Sequence, residues 1–287
     1  MSTKPPSSHL SAEGPQADAR GVFRDALGGL SNLRQLLHSI RVGPKALGAV
    51  LPDVHASCEP LGVSLEELLE AIASELPEPR ATDGLRTFVT PRLSELEKAL
   101  ATAMRSALNA RNRLQLEEVV DRLSRELDTV RELVELLEDA IEGPTVRLSL
   151  LEIVRQAAAG PERAGREGIR ATLSSTPEGL ELLVNARVAM ALLASGANLV
   201  AGGDAQAVPH VQIGKLPQGG CGLSVSREPE AGEALSLPRR WLIEPTLPCL
   251  EVAARLAGAR LERGRADSSF SVIWPAEIYA SRHPNGV

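Results

Sequence analysis

The side chain best placed for chemistry is an asparagine. In LLASGANLVAGG, residues 192–203, Asn198 stands in an otherwise apolar stretch of helical spacing that ends on paired glycines. An asparagine carbonyl on a helix face can help to hold a divalent cation; the same amide can equally bond to a neighbouring loop. His38 lies in the amphipathic stretch LRQLLHSIRVG, where an imidazole at the solvent edge can accept a phosphoryl group or have no role. His55 and His210 stand at a turn and a strand entry with no cysteine or carboxylate at metal-ligand spacing, and His9 and His283 lie in the tails. The hydroxyl residues form no GxSxG elbow. Arg239, Arg240 and Trp241 read either as a solvated face or as a loop that docks a partner. No metal and no cofactor is expected.

Composition narrows the classes. Hydrophobic residues make up 43% of the 287, mostly Leu, Ala and Val, so the core must be aliphatic and largely helical. A formal charge of −6 gives no general attraction to nucleic acid or anionic lipid. Cys58, Cys221 and Cys249 are far apart, odd in number and form no CxxC, as suits a reducing cytoplasm. The start, MSTKPPSSHLSAEGPQ, lacks the apolar core of a signal peptide, and no window is apolar enough to span a membrane. Residues 1–17 and 279–287 read as polar tails.

The elements that must position these residues fall into three blocks. Over 18–80, Val22, Leu27, Leu30, Leu33, Leu36, Leu37 and Ile40 step by helical spacings, and Ser64 with Glu67 marks a second helix start. Between them Pro44, Pro52 and Pro60 predict short helices and turns. Over 84–143, Leu116, Val120, Leu123, Leu127, Val130, Val134, Leu137 and Ile141 form an unbroken seam of fours and threes that Gly143-Pro144 ends. Leu85, Val89, Leu93, Leu96, Leu100, Met104 and Leu108 form a looser stripe upstream. The two are one long helix or a hairpin turning around residues 109–113, and a hairpin alone would leave its stripe exposed, so a homodimeric four-helix bundle is expected. Over 146–278 the texture changes: IRATLSS, LELLVN, HVQIGKL, GLSVSRE and SSFSVIWPA read as strands between helices. The fold class is α+β, helices followed by a two-layer α/β sandwich.

This succession resembles the dimerisation and ATP-binding core of sensor histidine kinases over roughly residues 84–276. LRTFVTP, 85–91, sits where the family's phosphoacceptor box ends in Thr-Pro; MALLASGANLVAGG is similar to its asparagine box; ARLAGARLERGRADSSFSVIWPA, 254–276, is similar to its closing helix and strands. The resemblance implies an ATPase-like sandwich and docking of response regulators on the hairpin.

The departures fall on the chemistry. The family's histidine lies five residues before that proline, where this chain has Arg86, a group that stays protonated and cannot take a phosphoryl group. The family's paired asparagines, one turn apart, are here Ala194 and Asn198. Arg227 occupies the position of the adenine-accepting aspartate and Pro229 that of a glycine, although a gapped alignment recruits Glu228 or Glu230. LIEPTLPCLEVAARL carries Pro245 and Pro248 where a glycine-rich phosphate cradle is expected. The expectation is a non-catalytic, cytoplasmic histidine-kinase-like homodimer that binds a response regulator or a partner kinase, with Asn198 a remnant. The alternatives are a phosphotransferase using His38 and an active kinase with a divergent ATP site.

Overall fold

Buried rows at heptad spacing build the helical part. The computed structural model describes residues 16–42, 47–76, 82–107, 113–164, 168–175, 181–202, 206–215, 221–227, 232–238, 247–264 and 269–275. Contacts divide the chain into two compact units, Met1–Ile72 with Leu93–Leu127, and Ala73–Arg92 with Asp128–Val287. In the first, helix α1 (Gln16–Val42) buries Phe23, Ala26, Leu30, Leu33, Leu37 and Ile40. Helix α2 (Leu47–Glu75) buries Val54, Cys58, Leu61, Leu65 and Leu68. The two helices meet where Gly29 lies against Leu61 and Asn32 Nδ2 donates to Ser57 Oγ at 3.4 Å.

Helix α2 corrects the expected break at the prolines. It runs through Pro52 and Pro60 without interruption, and Ser64 lies in its interior rather than at a cap. Both prolines are exposed, so each lost amide bond falls on the solvent side, while the buried row beneath them stays continuous. Tertiary burial outweighs the local penalty.

Helices α3 (Asp83–Ala107) and α4 (Arg113–Glu142) are separate, and most of the expected turn lies outside the described residues. The distal end of α3 shares a unit with the start of α4, and the start of α3 shares the other unit with the end of α4. The α4 seam is already covered within one chain: Val120, Leu123, Leu127, Val130, Val134 and Leu137 are all at most 3% exposed. No described helix is long and apolar enough to cross a membrane.

The second unit carries a two-layer sandwich. Its elements are β1 (Val146–Ser149), α5 (Leu150–Ala164), β2 (Gly168–Ser175), β3 (Glu181–Val184), α6 (Ala186–Ala201), β4 (His210–Lys215), β5 (Cys221–Ser226), β6 (Glu233–Pro238), α7 (Leu247–Leu256), β7 (Arg260–Arg263) and β8 (Ser269–Trp274). The strands form a small β1-β3 ribbon and a six-stranded sheet of order β6-β2-β4-β5-β8-β7. Only β2 and β4 run parallel in that sheet. Alternate residues Ile169, Ala171, Leu173, Val211, Ile213, Leu223, Val225, Phe270 and Val272 are buried, and α5, α6 and α7 pack against strands of the sheet and against one another. The intervening positions carry Thr172, Ser174, Gln212, Ser224, Ser226 and Ser271.

Strand β6 lies in a stretch whose sequence predicts no strand. The chain returns there to the sheet and pairs antiparallel with β2, from Leu173↔Glu233 to Gly168↔Pro238. Its six residues alternate weakly and end on a proline, which suits an edge strand.

Candidate functional site

The candidate site is built around α6. Asn185 caps it, its Oδ1 accepting from the Val188 amide at 3.1 Å. Gly202 closes it in the left-handed conformation at φ 60°, its amide donating to the carbonyls of Asn198 and Leu199. Between these caps the helix is apolar almost all round. Ala194 and Ala197 are 0% exposed, and Gly196 lies so close to Phe270 that an added Cβ would come within 2.2 Å of the ring. Asn198 is half-buried, and its Nδ2 donates back to the Ala194 carbonyl at 2.7 Å. This one-turn bond engages the amide within its own helix. Residues 194 and 198 share a helix face, on which Ala194 is fully buried and Asn198 half-buried.

Arg227 follows β5 and points at the end of α6, its Nη2 lying 3.4 Å from the Ala201 carbonyl. The end of a helix carries partial negative charge, so a guanidinium is favoured there and a carboxylate would be repelled. The position that the resemblance assigns to an adenine acceptor thus holds a helix-end cation. Helix α7 begins with Leu247 and Pro248, and Pro248 is packed against the first turn of α3, where a Cβ on Gly84 would sit 2.3 Å from the proline Cβ. Proline contributes no amide donor at this helix start, where a phosphate would need one. Arg86 is exposed on α3, and beside it Thr87 Oγ1 donates to the Asp83 carbonyl at 2.8 Å. His38 is exposed on α1, in the other unit. Glu228, Pro229, Glu230, Arg239, Arg240, Trp241 and Pro245 lie outside the described residues. The structure places Asn198 and Arg227 at the C-terminal end of α6, with Ala194 one turn further back along the helix.

No protein-family model matches the chain, and no curated protein matches it. Among solved structures, the histidine kinase AdeS of Acinetobacter baumannii is similar over 64% of this chain and 94% of its own, at 12% identity and a TM-score of 0.37.

Two polar constellations were missed in the sequence. At the joint between α4 and α6, Asn185 Nδ2 donates to the Asp139 carbonyl at 2.6 Å, and Arg187 reaches the Asp139 carboxylate at 2.7 Å and that of Glu135 at 3.5 Å. Burial pushes the Asp139 carboxyl above its ordinary value although Arg187 opposes the shift. Burial likewise raises Glu138, aided by Glu142, Asp139 and Glu135. An asparagine just ahead of an apolar helical run is a legible cap signal; its second bond, to a helix 46 residues earlier, is not.

The second constellation is His210, 2% exposed on β4, with Nδ1 2.8 Å from Thr172 Oγ1 and Nε2 2.9 Å from Ser174 Oγ. Hydroxyls donate or accept as the tautomer requires, so both ring nitrogens are satisfied without an ion. Among the described residues no three His, Cys, Asp or Glu side chains gather to hold a metal. The buried Cys249 thiol is pushed up to about 12 by burial, which outweighs the nearby Arg92, so it is not poised as a nucleophile.

Proposed function

We propose that this chain is a non-catalytic, histidine-kinase-like signalling protein that acts by binding a response regulator or a partner kinase. The reading rests on the resemblance of the helical hairpin and sandwich to that family, joined to the absence of the phosphoacceptor histidine, one of the two asparagines and the glycine-rich phosphate cradle that the family uses. The observation that carries it is the 0% exposure of Ala194 beside an Asn198 already bonded to its own helix, with Arg227 on the adenine-acceptor position. A triphosphate would need an open flank on α6, an acceptor for its adenine amine and amide donors for its phosphates; an alanine, an arginine and a proline stand at these positions. The net charge of −6 argues against nucleic acid as the partner.

Thermal unfolding with and without magnesium and ATP, ADP or a non-hydrolysable analogue tests this. The expected result is an unchanged midpoint at millimolar nucleotide. A saturable, magnesium-dependent rise would overturn the reading and favour an active kinase with a divergent site.

A second reading draws on one specific feature. His38 is exposed on a helix of the first unit, as a phosphoacceptor must be, so the chain can also relay phosphoryl groups with the sandwich kept for docking. Incubation with a phosphorylated response regulator separates the two: transfer of label that His38→Gln abolishes establishes the relay, and no transfer leaves binding alone.

A further inference from the structure

We propose that Ser174 is a nucleophilic serine, activated by His210, that takes a short acyl group from an activated ester or thioester and holds it covalently. The site is a point of modification on the sandwich, separate from phosphoryl chemistry, and it stands whether or not a regulator or kinase binds the chain.

Two neighbouring strands assemble it. Strands β2 and β4 are the parallel pair of the six-stranded sheet, with Thr172 opposite His210 and Ser174 opposite Gln212. Successive side chains of a strand alternate between faces, so these four residues share the face opposite to the buried Leu173, Val211 and Ile213. Across it the His210 ring reaches over β2, Nε2 lying 2.9 Å from Ser174 Oγ and Nδ1 2.8 Å from Thr172 Oγ1. A hydroxyl held against one nitrogen of an imidazole whose other nitrogen is fixed by a third group is the arrangement that activates a serine. With the ring proton on Nδ1 and donated to Thr172, the Nε2 lone pair accepts from Ser174. Thr172 is thus the positioning residue. Ser174, a half-buried primary alcohol one residue from the end of β2, is the nucleophile.

Gln212 supplies the remaining element. It is exposed and stands directly across from Ser174 on a strand about 4.8 Å away, where its side-chain amide can donate to an acyl oxygen that gains negative charge. The same face continues with Ser224 opposite Gln212, Ser226 opposite His210 and Ser271 opposite Ser224. These are hydroxyls rather than apolar side chains, which suits a short acyl group and not a long one.

The step balances within these groups. A bond forms from Ser174 Oγ to the acyl carbon as the bond from that carbon to its alkoxide or thiolate breaks, and the serine proton passes to His210 Nε2 and on to the leaving group. The ring is only 2% exposed, so an acyl group on Ser174 shuts Nε2 off from water, and the acyl-serine accumulates instead of turning over. Ser271 provides a contrast on the same face: its Oγ donates to Ser224 Oγ at 3.1 Å, a hydroxyl in place of an imidazole.

Reaction of the full chain with p-nitrophenyl acetate tests the proposal, with phenolate release followed over time and the acetyl located by peptide mass spectrometry. The expected result is a burst of one phenolate per chain with the acetyl on Ser174, formed at least about 100-fold faster than on Ser224 or Ser271. Ser174→Ala and His210→Gln are expected to abolish the burst, and Ser174→Cys to keep it with the acetyl on sulfur. Gln212→Leu should slow it about 10-fold. Thr172→Val should slow it as well, and Thr172→Ser should restore it, as positioning through a hydroxyl requires. Because the adduct is located on the wild-type chain, the result does not depend on any variant folding. No acetyl on Ser174 overturns the proposal. So does acetylation there no faster than on Ser224 and Ser271, or a rate that Gln212→Leu and Thr172→Val leave unchanged.

Discussion

Asn185 and Asp139 are joined by a 2.6 Å hydrogen bond from the side-chain amide of one to the backbone carbonyl of the other. The same Asn185 side chain caps α6 through Oδ1, so a single residue starts one helix and holds the last turn of another. Gly143 makes room for it: a Cβ there would stand 2.1 Å from Asn185 Nδ2. Loss of the cap costs about 1 kcal/mol and loss of the second bond about as much again, so Asn185→Ala is expected to lower stability by about 2 kcal/mol in urea unfolding. Asn185→Ser keeps a capping oxygen and should recover about half. An Asn185→Ser variant no more stable than Asn185→Ala would show that the cap contributes little.

The carboxylates beside this joint set a pH dependence. Burial holds Glu138 above its ordinary value of 4.5, with Glu142, Asp139 and Glu135 adding to the rise. The native state therefore keeps a proton that the unfolded chain releases. Stability is fully present below that ordinary value and is lost as pH rises through the elevated one. Glu138→Gln removes the conflict and is expected to stabilise the protein at neutral pH, with the gain vanishing toward about pH 4. Unfolding curves across that range check the sign; a gain that grows on acidification would rule out burial of the carboxylate as its cause.

Gly196 faces Phe270 with no space for a side chain, a Cβ there falling 2.2 Å from the ring. Gly196→Ala forces α6 and the sheet apart and is expected to cost about 1–3 kcal/mol. If this contact is the cause, Phe270→Leu should restore part of the loss in the double variant, an interaction that a double-mutant cycle measures directly.

His210 fills a polar slot between Thr172 and Ser174. His210→Phe keeps the bulk but leaves two hydroxyls without their ring partners, so a loss of about 1–3 kcal/mol is expected. Removing both hydroxyls as well, by Thr172→Val and Ser174→Ala, should make the phenylalanine much less costly. A triple variant as unstable as the single one would point to shape rather than hydrogen bonding.

Arg227 stands at the negative end of α6. Arg227→Ala is expected to cost about 0.3–1 kcal/mol, and Arg227→Asp more, because a carboxylate there opposes the helix dipole. Although Arg227→Asp restores the acidic group of the resembled family, it is expected to confer no nucleotide binding, since Ala194 remains sealed. Calorimetric titration of that variant with ATP provides the check.

Much of the architecture could be read from local pattern. The seam from Val120 to Leu137, the alternation in HVQIGK and CGLSVS, and the cap-to-glycine span of α6 each express a period that the backbone itself imposes. The residue types at positions 86, 194, 227 and 248 were legible too, because they are read directly along the chain.

What covers each surface had to come from the tertiary structure. Pro52 and Pro60 argue for breaks until it is known that both face solvent above an unbroken buried row. The α4 stripe asks for a partner, and the sequence does not say that the chain buries it unaided. Strand β6 is too short and too weakly patterned to be seen before β2 offers it an edge, and the complete burial of Ala194 is decided only by what packs against α6. Periodicity is a property of neighbours along the chain, whereas burial is decided between segments tens of residues apart, and there packing outweighs propensity.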